Sequence, residues 1–388
     1  MNNFQLKSRL PNVGTTIFSV MSALATQHKA VNLGQGFPDF ACDAKLIEFV
    51  SQAMQQGHNQ YPVMAGVPAL REKIANKVEQ LYQHRYDPNT EITVTAGATQ
   101  AIQCAIHCCV HPGDEVIVIE PAYDCYLPVI ELAGGIAVTV SMELNEAGFN
   151  VNWDVVATKI NAKTRLIIVN SPNNPTGTIL SQSDLNALAD ILKKPENDHV
   201  LILSDEVYEH MVYDGARHFS ISTDPELAQR AFVISSFGKT FHVTGWKVGY
   251  VCAPAAMTTE FRKVHQYTVF TVNTPMQYGL AAYLDDPRPY LNLPDFYQAK
   301  RDFFRSGLMQ TKFKLLPAQG TYFQCVDYRS ISNLSELAFA EWLTKEVGVA
   351  AIPVTAFYKR GVESGLVRFC FAKQEQTLIQ ALQKLAQI

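Results

Sequence analysis

The chain contains 388 residues, of which 47% are hydrophobic and 18% charged, and its formal net charge is −4. These values suit a globular protein with a large core and give no reason to expect nucleic acid or an anionic membrane surface as a partner. The first residues lack the apolar stretch of a signal peptide, and no run approaches the ~18 apolar residues of a membrane span. The sequence therefore predicts a cytoplasmic protein.

The predicted elements begin with one helix, within residues 10–25, whose apolar side chains need a partner elsewhere in the chain. Short runs rich in β-branched residues then alternate with helical segments. The predicted strands cover residues 91–96, 115–120, 136–140, 165–170, 199–204, 231–236 and 248–253, with helices after the first of them and near 181–193. This alternation predicts an α/β fold with a mostly parallel sheet covered on both faces.

The last hundred residues alternate more loosely, with helices predicted near 294–312 and 333–347. We interpret them as a smaller α/β domain that is joined by the N-terminal segment. The predicted boundaries are 42–275 for the large domain, and 1–41 together with 276–388 for the small one.

Polar side chains or a helix start follow four of the predicted strands. Ligands of open parallel sheets bind at the carboxyl ends of the strands, so these residues are expected to face one crevice. They are Ala98 and Thr99 at a helix start, Asn174, Asp205 with Tyr208, and Lys239.

Two lysines, Lys239 and Lys247, stand eight residues apart in an apolar run that follows the strand at 231–236. A nucleotide-binding P-loop would need a glycine five residues before Gly238, where Val233 stands, so that motif is disfavoured. Two interpretations remain, a turn whose lysines are solvated and an anion site beside a nucleophilic lysine.

The anion-site interpretation also explains the polar residues at the other strand ends. A helix N-terminus, Ser236 and Lys247 together suit a phosphate, and the Lys239 amine can form a Schiff base with an aldehyde. Asp205 would keep a ring nitrogen protonated. A phenolic oxygen of the same ring would accept hydrogen bonds from Tyr208 and Asn174. The ligand that combines these groups is pyridoxal 5′-phosphate.

The chain contains eight cysteines without a disulfide spacing, and they are expected to be reduced. Cys104, His107, Cys108 and His111 fall on one predicted helical face and could be drawn as a metal site. The surrounding helix is apolar almost all round, as a buried helix is, and no C-x-x-C pattern is present. We therefore predict core packing and no metal.

The motifs that carry these residues resemble those of the class I and II aminotransferases of fold type I, in their methionine and kynurenine–glutamine branch. They occur in the order of that family and extend from residue 33 to residue 373. They are LGQGFPDF (33–40), NQYPVMAG (59–66), TAGAT (95–99), EPAYDCY (120–126), NSPNNPTG (170–177), SDEVYEH (204–210), SFGKTFHVTGWKVGY (236–250) and VRFCFAK (367–373).

This resemblance implies a role for each motif residue toward the cofactor. Lys239 would carry it as a Schiff base, Asp205 would pair with the ring nitrogen, and Tyr123 would stack on the ring. The ring oxygen would be contacted by Tyr208 and Asn174. The phosphate would be held by Ser236, Lys247 and the amides of Ala98 and Thr99. Lys247 departs from aspartate-type relatives, which have arginine there.

The resemblance also implies how substrate and subunits are arranged. Arg368 would bind the α-carboxylate, helped by Asn174 and the backbone near Gly36. Tyr61 would reach the phosphate of a neighbouring subunit, which makes the enzyme a homodimer with shared active sites. The motifs place no second arginine in the pocket. Its expected walls are apolar or aromatic, namely Ile17, Phe18, Tyr61, Tyr123 and Phe270.

The predicted function is thus transamination from a large uncharged amino acid to a 2-oxo acid, the candidate donors being methionine, the aromatic amino acids, glutamine and histidine. Three alternatives stay open at this point. A cysteine-conjugate β-lyase would use the same residues, and a non-catalytic regulator on the same fold would need an added DNA-binding segment. An NAD-dependent oxidoreductase is disfavoured, because LGQG (33–36) lacks the third glycine of the dinucleotide fingerprint.

Overall fold

The computed structural model describes residues 6–388, and its helices and strands form a large and a small α/β unit. The strands are β1 (Val31–Asn32), β2 (Ile92–Thr95), β3 (Glu115–Glu120), β4 (Ile136–Ser141), β5 (Glu143–Asn145), β6 (Gly148–Asn150), β7 (Thr164–Asn170), β8 (Leu201–Asp205), β9 (Ala231–Ser236), β10 (Gly249–Cys252), β11 (Lys314–Leu315), β12 (Phe323–Asp327), β13 (Val349–Ala350), β14 (Ile352–Pro353) and β15 (Leu366–Cys370). The α-helices are α1 (Ile17–Gln27), α2 (Ala44–Gln55), α3 (Pro68–Tyr82), α4 (Ala98–Cys109), α5 (Tyr126–Leu132), α6 (Trp153–Lys159), α7 (Gln182–Leu192), α8 (Pro225–Ala228), α9 (Phe237–Thr240), α10 (Ala255–Thr268), α11 (Thr274–Tyr283), α12 (Arg288–Leu291), α13 (Leu293–Leu308), α14 (Glu336–Trp342) and α15 (Glu375–Leu385).

The large sheet has the strand order β2-β10-β9-β8-β7-β3-β4. Strands β9, β8, β7, β3 and β4 pair in parallel, whereas β10 is antiparallel to both β9 and β2. The mostly parallel α/β sheet is the architecture that the sequence predicts, and each predicted strand is present to within two residues. The direction of β10 was not predictable from its apolar pattern, because a buried strand has the same composition in either direction.

The carboxyl ends of the central strands lie at one edge of this sheet. Strand β8 extends one residue beyond its predicted end, so that Asp205 is its last residue. In the ladder Asp205 stands opposite Asn170 of β7 and Ile234 of β9. The polar residues that follow these strands are therefore brought together by register alone.

The small unit contains the antiparallel sheet β11-β12-β15-β14, with α13, α14 and α15 packed around it. The helix predicted over 333–347 is divided. It is α-helical only over Glu336–Trp342 and continues as a π-helix over Leu343–Val347. In the N-terminal segment, β1 pairs in parallel with β13.

Helix α1 begins later than the sequence suggests, at Ile17. Thr16 caps it, since the Thr16 side chain accepts a hydrogen bond from the backbone N–H of Ser19. The helix buries Met21 and Ala25, and Met21 belongs to the apolar core of the small unit. This packing places Ile17 and Phe18 beside that core.

The two units have separate apolar cores. Leu280 and Ala281 of α11 lie in the core beneath the large sheet, whereas Leu293 and Tyr297 of α13 belong to the core of the small unit. The domain boundary predicted at residue 275 remains an expectation. From these cores we propose that it lies nearer residue 292.

The cysteine-rich segment is part of helix α4. Cys104 is buried in an apolar cluster with Ala101 and Ile102, and the helix ends at Cys109, so that His111 lies beyond it. Within residues 6–388, no group of three or more histidine, cysteine or acidic side chains could hold a metal ion. No helix of that same stretch is long and apolar enough to cross a membrane.

Candidate active site

A cavity of about 290 Å³ lies at the carboxyl edge of the large sheet, where the two units meet. Its wall combines the ends of β7, β8 and β9, the start of α4, and residues of the small unit. The lining residues are Phe18, Gln35, Gly36, Gly97, Ala98, Thr99, Ile102, Tyr123, Asn170, Asn174, Asp205, Val207, Tyr208, Ser236, Gly238, Lys239, Thr244, Lys247, Phe323 and Arg368.

Asp205 is a buried carboxylate at the floor of this cavity. The Tyr126 hydroxyl donates a hydrogen bond to it at 2.6 Å, and the Val207 backbone N–H donates a second at 3.3 Å. Burial raises the pKa of Asp205 to about 6, and these two hydrogen bonds oppose that shift only in part. The carboxylate is thus fixed in direction but lacks a bonded cation among the described residues.

Lys239 is a partly buried lysine whose amine lies across the cavity. Its Nζ donates to the carbonyl of Gly36 at 3.1 Å and to the hydroxyl of Tyr322 at 2.9 Å. Burial lowers the pKa of Lys239 to about 8, and the positive charge of Arg368 contributes in the same direction. At pH 7 about a tenth of such amines have lost their proton and can act as a nucleophile or base.

The N-terminus of α4 opens into the cavity beside two cationic or polar side chains. Gly97 precedes the helix with φ of +78°, which favours glycine, and a Cβ there would lie 3.2 Å from Lys247 Nζ. Ser236 caps the short helix α9 by accepting from the Gly238 N–H. The free N–H groups of a twelve-residue helix, a hydroxyl and an ammonium group together suit a phosphate.

Arg368, on β15, is 1% exposed and forms the opposite wall. Its Nη1 donates to Asn174 Oδ1 at 2.6 Å and its Nη2 donates to the carbonyl of Gly34 at 3.0 Å. The guanidinium carbon lies 3.8 Å from the centre of the Phe323 ring. The backbone contact thus comes from Gly34, while the predicted residue Gly36 bonds to Lys239.

Arg368 has one nitrogen without a hydrogen-bond partner. Its Nε is buried and has no hydrogen-bond partner within residues 6–388. An incoming carboxylate would supply the negative charge that this side chain lacks. Because the Asn174 oxygen is taken up by Arg368, the amide nitrogen of Asn174 is the part left for another ligand.

Helix α1 brings Phe18 to the rim of the cavity. The Phe18 ring lies 5.4 Å from the Arg368 guanidinium. Gln35 Nε2 ties the helix to the loop 33–37 by donating to the Phe18 carbonyl and to the Ser22 hydroxyl. The loop itself is held by Lys373, which donates to the carbonyls of Gln35 and Phe37.

The structure brings most of the predicted site residues together, including the aromatic side chains of Tyr123 and Tyr208. Ile17 does not line the cavity. Tyr61 is 80% exposed and contacts Phe270 edge to face, at a surface groove next to residues 271–275. In this chain Tyr61 and Phe270 therefore stand outside the cavity.

A buried ion pair lies on the far side of the large sheet, at the turn that follows β8. Lys77 and Glu209 are both buried and form an ion pair at 2.7 Å. Glu209 also accepts hydrogen bonds from Tyr82 at 2.6 Å and Ser235 at 2.5 Å. Burial opposes its ionisation, but Lys77 and these donors outweigh burial and lower the pKa of Glu209.

Four features of the cavity fit pyridoxal 5′-phosphate. Asp205 is a buried carboxylate without a cation, Gly97 leaves room that a Cβ would fill, and the start of α4 offers N–H groups. Lys239 supplies an amine of lowered pKa. A phosphorylated aldehyde with a cationic ring would satisfy all four.

Sequence reasoning missed several residues that touch the key groups. Tyr126, which orients Asp205, is the last residue of the motif EPAYDCY, and its position after β3 was the available signal. Tyr322, which contacts Lys239, lies before β12 in the small unit, and only the fold brings it to the cavity. Lys77 gave no signal either, because a lysine within a helix is ordinarily exposed.

Comparison with known proteins agrees with this geometry. The pattern of the family described as aminotransferase class I and II matches residues 28–385. A methionine aminotransferase of Escherichia coli is 48% identical over 98% of both chains. A solved E. coli structure, reported with a methionine aminotransferase function, superposes with a TM-score of 0.96, 47% identity, and 99% and 100% coverage of the two chains.

More distant relatives have other printed substrates. A probable N-succinyldiaminopimelate aminotransferase of Mycobacterium tuberculosis is 40% identical over 98% of this chain and 97% of its own. A kynurenine–oxoglutarate transaminase of Rattus norvegicus is 35% identical over 97% of this chain and 88% of its own.

Proposed function

The chain belongs to the class I and II aminotransferases, and we propose that its preferred amino donor is a large uncharged amino acid, with methionine and phenylalanine among the best. Enzymes of this family depend on pyridoxal 5′-phosphate and exchange an amino group between an amino acid and a 2-oxo acid. Which amino acid this chain prefers is the part that we propose.

The count of cations in the cavity is the observation that supports this choice. Among the lining residues of the described chain, the cationic side chains are Lys239, Lys247 and Arg368. Each has a task in the proposed site, so no cation remains for a second carboxylate. The walls near Arg368 are aromatic, namely Phe18 and Phe323, and Tyr123 also lines the cavity. A desolvated second carboxylate would be penalised there, whereas a thioether or an aromatic ring would be favoured.

The substrate end of the site is proposed to act by orientation. Arg368, held by Asn174 and Gly34, binds the α-carboxylate through its planar fork. Phe18 and Phe323 exclude water from this end and strengthen the ion pair. The α-amino group and the Cα–H bond are then directed toward Lys239.

The cofactor end is proposed to act on charge and on protons. The bound cofactor supplies an electron sink that makes the substrate Cα–H acidic. Asp205, oriented by Tyr126, stabilises positive charge at the ring nitrogen. Lys247, Ser236 and the N–H groups of Ala98 and Thr99 bind the phosphate. The Lys239 amine would remove the proton from the substrate Cα and deliver it to the carbon that carries the aldehyde in the free cofactor, which its pKa of about 8 permits near neutral pH.

We infer a homodimer in which Tyr61 completes the site of the other copy. Its support is the exposure of Tyr61, together with Phe270, at a surface groove. Mixing Tyr61→Ala chains with Lys239→Ala chains tests this, since each mixed dimer would contain one intact site. Recovery of activity on mixing is expected, and two variants that stay inactive together while forming dimers would contradict it.

We also infer a cytoplasmic location, which the free state of all eight cysteines supports. When cells are lysed in an alkylating agent, mass spectrometry should find all eight cysteines of the chain alkylated, and disulfide-linked cysteines would contradict the inference.

A panel of amino donors against one 2-oxo acid tests the proposed substrate. Methionine and phenylalanine should exceed aspartate in kcat/KM, and glutamine and histidine should fall between them. Arg368→Ala is the matched control, because it should damage all donors alike. Aspartate or glutamate ranking above methionine would contradict the assignment. Release of pyruvate and ammonia from a cysteine conjugate would reveal a β-lyase activity of the same site.

A further inference from the structure

We propose that Tyr322 is a positioning residue for the Lys239 amine. Its hydroxyl and the carbonyl of Gly36 together form a seat for that amine whenever Lys239 is not bonded to the cofactor. The inference rests on the proposed role of Lys239 and adds a residue that the motifs did not indicate.

The seat is a closed triangle of polar atoms. Lys239 Nζ donates to Tyr322 Oη at 2.9 Å and to the Gly36 carbonyl at 3.1 Å, and Tyr322 Oη donates to the same carbonyl at 2.6 Å. Tyr322 is fully buried. Its one hydroxyl proton is used toward Gly36, so toward Lys239 the hydroxyl can only accept.

The Tyr322 ring is fixed by other aromatic rings. Tyr208 meets it edge to face with centroids 5.2 Å apart, and the Phe323 and Tyr297 centroids lie 4.9 and 5.6 Å away. Such rings have few alternative orientations in a close-packed core. The hydroxyl is therefore held at one point relative to the large sheet.

The backbone before Tyr322 is strained in a way that serves this placement. Thr321 has φ of +63°, a left-handed conformation that is unfavourable for a β-branched residue. Two hydrogen bonds hold it there, from the Thr321 N–H to the Met211 carbonyl at 2.9 Å and from the Tyr213 hydroxyl to the Thr321 carbonyl. The corner is thus anchored to the segment that follows Asp205 and Tyr208.

The carbonyl of the seat is fixed as well. Lys373 is buried and donates to the carbonyls on either side of Gly36, at Gln35 and Phe37. The loop that presents the Gly36 carbonyl is therefore tied to the end of β15. Both acceptors of the Lys239 amine belong to rigid parts of the small unit.

The seat has a consequence for the lone pair of the amine. A neutral amine has two N–H bonds, and the two acceptors engage both of them on one side of the nitrogen. The lone pair is left on the other side, free to receive a proton from a substrate carbon. Without the Tyr322 hydroxyl, the amine would rotate among several orientations, and fewer of them would be competent.

The test is Tyr322→Phe, which removes the oxygen and keeps the ring. Tyr297→Phe is the matched control, because Tyr297 lies in the same aromatic group and its buried hydroxyl has no partner within residues 6–388. Both variants are compared with the wild type in cofactor-free and loaded form.

In the cofactor-free protein, the rate of Lys239 acylation is followed against pH by mass spectrometry of its peptide. Loss of an acceptor disfavours the ammonium form of Lys239. The pH midpoint of the acylation rate should therefore fall by about half a pH unit or more in Tyr322→Phe and stay unchanged in Tyr297→Phe. In the loaded enzyme, kcat should fall about tenfold with little change in KM, and the isotope effect of a Cα-deuterated donor on kcat should rise.

An unchanged midpoint and an unchanged isotope effect in Tyr322→Phe would overturn the proposal. Borohydride reduction of the loaded wild type separates this from failure of the proposed function, since it should fix the cofactor on the Lys239 peptide whatever Tyr322 does. If Tyr322→Phe does not fold, Tyr322→3-fluorotyrosine serves instead, because its weaker acceptor oxygen should move the midpoint in the same direction.

Discussion

Two lysine–carboxylate couples lie on opposite sides of the large sheet, joined by the turn 205–209. On the far side, Lys77 and Glu209 bond directly at 2.7 Å. On the cavity side, Asp205 is buried and Lys239 is partly buried, but the Lys239 amine is hydrogen-bonded to Gly36 and Tyr322. The two couples therefore differ mainly in pairing.

The difference separates a structural pair from a functional one. Where the charges are bonded to each other, the carboxylate is held ionised, and the pKa of Glu209 is lowered despite burial. Where they are held apart, burial prevails, and the pKa of Asp205 is raised to about 6 while that of Lys239 is lowered to about 8. A carboxylate and an amine that do not pair with each other remain available to a ligand that can pair with both.

The largest effect is expected from removing the amine of the unpaired couple. Lys239→Ala should lower turnover at least about a thousandfold, because both the covalent link and the proton carrier are lost. The protein should still fold and retain the cofactor non-covalently. Single-turnover assays and borohydride labelling measure this, and added methylamine should restore part of the rate. Turnover near that of the wild type would remove Lys239 from the proposed mechanism.

The next largest effect should follow from removing the unpaired carboxylate. Asp205→Ala should bind the cofactor but lose turnover by several orders of magnitude, because positive charge at the ring nitrogen is no longer stabilised. Asp205→Asn keeps the shape and removes only the charge, which makes it the matched control. A loss below tenfold, about 1.4 kcal/mol in the barrier, would show that Asp205 does not act on the ring.

Breaking the paired couple should affect stability. Lys77→Met leaves the Glu209 carboxylate buried without its cation, and this typically costs about 3–5 kcal/mol in free energy of unfolding. Urea unfolding of the cofactor-free protein measures the loss. The double variant Lys77→Met with Glu209→Gln should recover much of it. Equal stability of Lys77→Met and the wild type would show that water already reaches Glu209.

The smallest effect is expected in the pH dependence of the free energy of unfolding, where the two carboxylates can be compared directly. The folded pKa of Asp205 lies above its ordinary value of 3.8, so its ionised form destabilises the cofactor-free fold. Asp205→Asn should therefore be more stable than the wild type above pH 6, by at most about 3 kcal/mol, since one pKa unit corresponds to about 1.4 kcal/mol. The advantage should shrink as the pH falls from 6 toward 4.

Glu209→Gln should behave in the opposite way in the same unfolding experiments. The folded pKa of Glu209 is lowered, so ionised Glu209 stabilises the fold at neutral pH, and that contribution is lost as the pH falls below the ordinary value toward the folded one. The glutamine variant should be the less stable one at pH 7. Parallel pH dependence of the two variants would contradict the distinction between the couples.

The sequence was sufficient for the strands and for the residues that directly follow them. Lys239, Asp205 and Asn174 were found because parallel strands end at one edge, which is a property of chain direction and hydrophobic pattern. Contacts between distant segments were not predictable in this way. Tyr322 reaches Lys239 only through the strained corner at Thr321, and no local pattern encodes that approach.

Two differences between the predicted and the observed small unit have a similar origin. The helix predicted over 333–347 is divided into an α-helix and a π-helix, and the hydrophobic pattern of the segment does not distinguish the two. The backbone partner of Arg368 is Gly34 and not Gly36, because the loop places alternate carbonyls toward different neighbours. Motif resemblance identifies the loop, while its geometry decides which carbonyl meets which side chain.

The contacts between the N-terminal and C-terminal segments also have a consequence for synthesis on the ribosome. Gly34 and Arg368 are separated by 334 residues, and β1 has no strand to pair with until β13 has been made. At about 5–20 residues per second, a ribosome needs tens of seconds to cover that distance. Throughout that interval the first helix and strand lack their native neighbours, so the nascent chain exposes an apolar surface that suits transient chaperone binding.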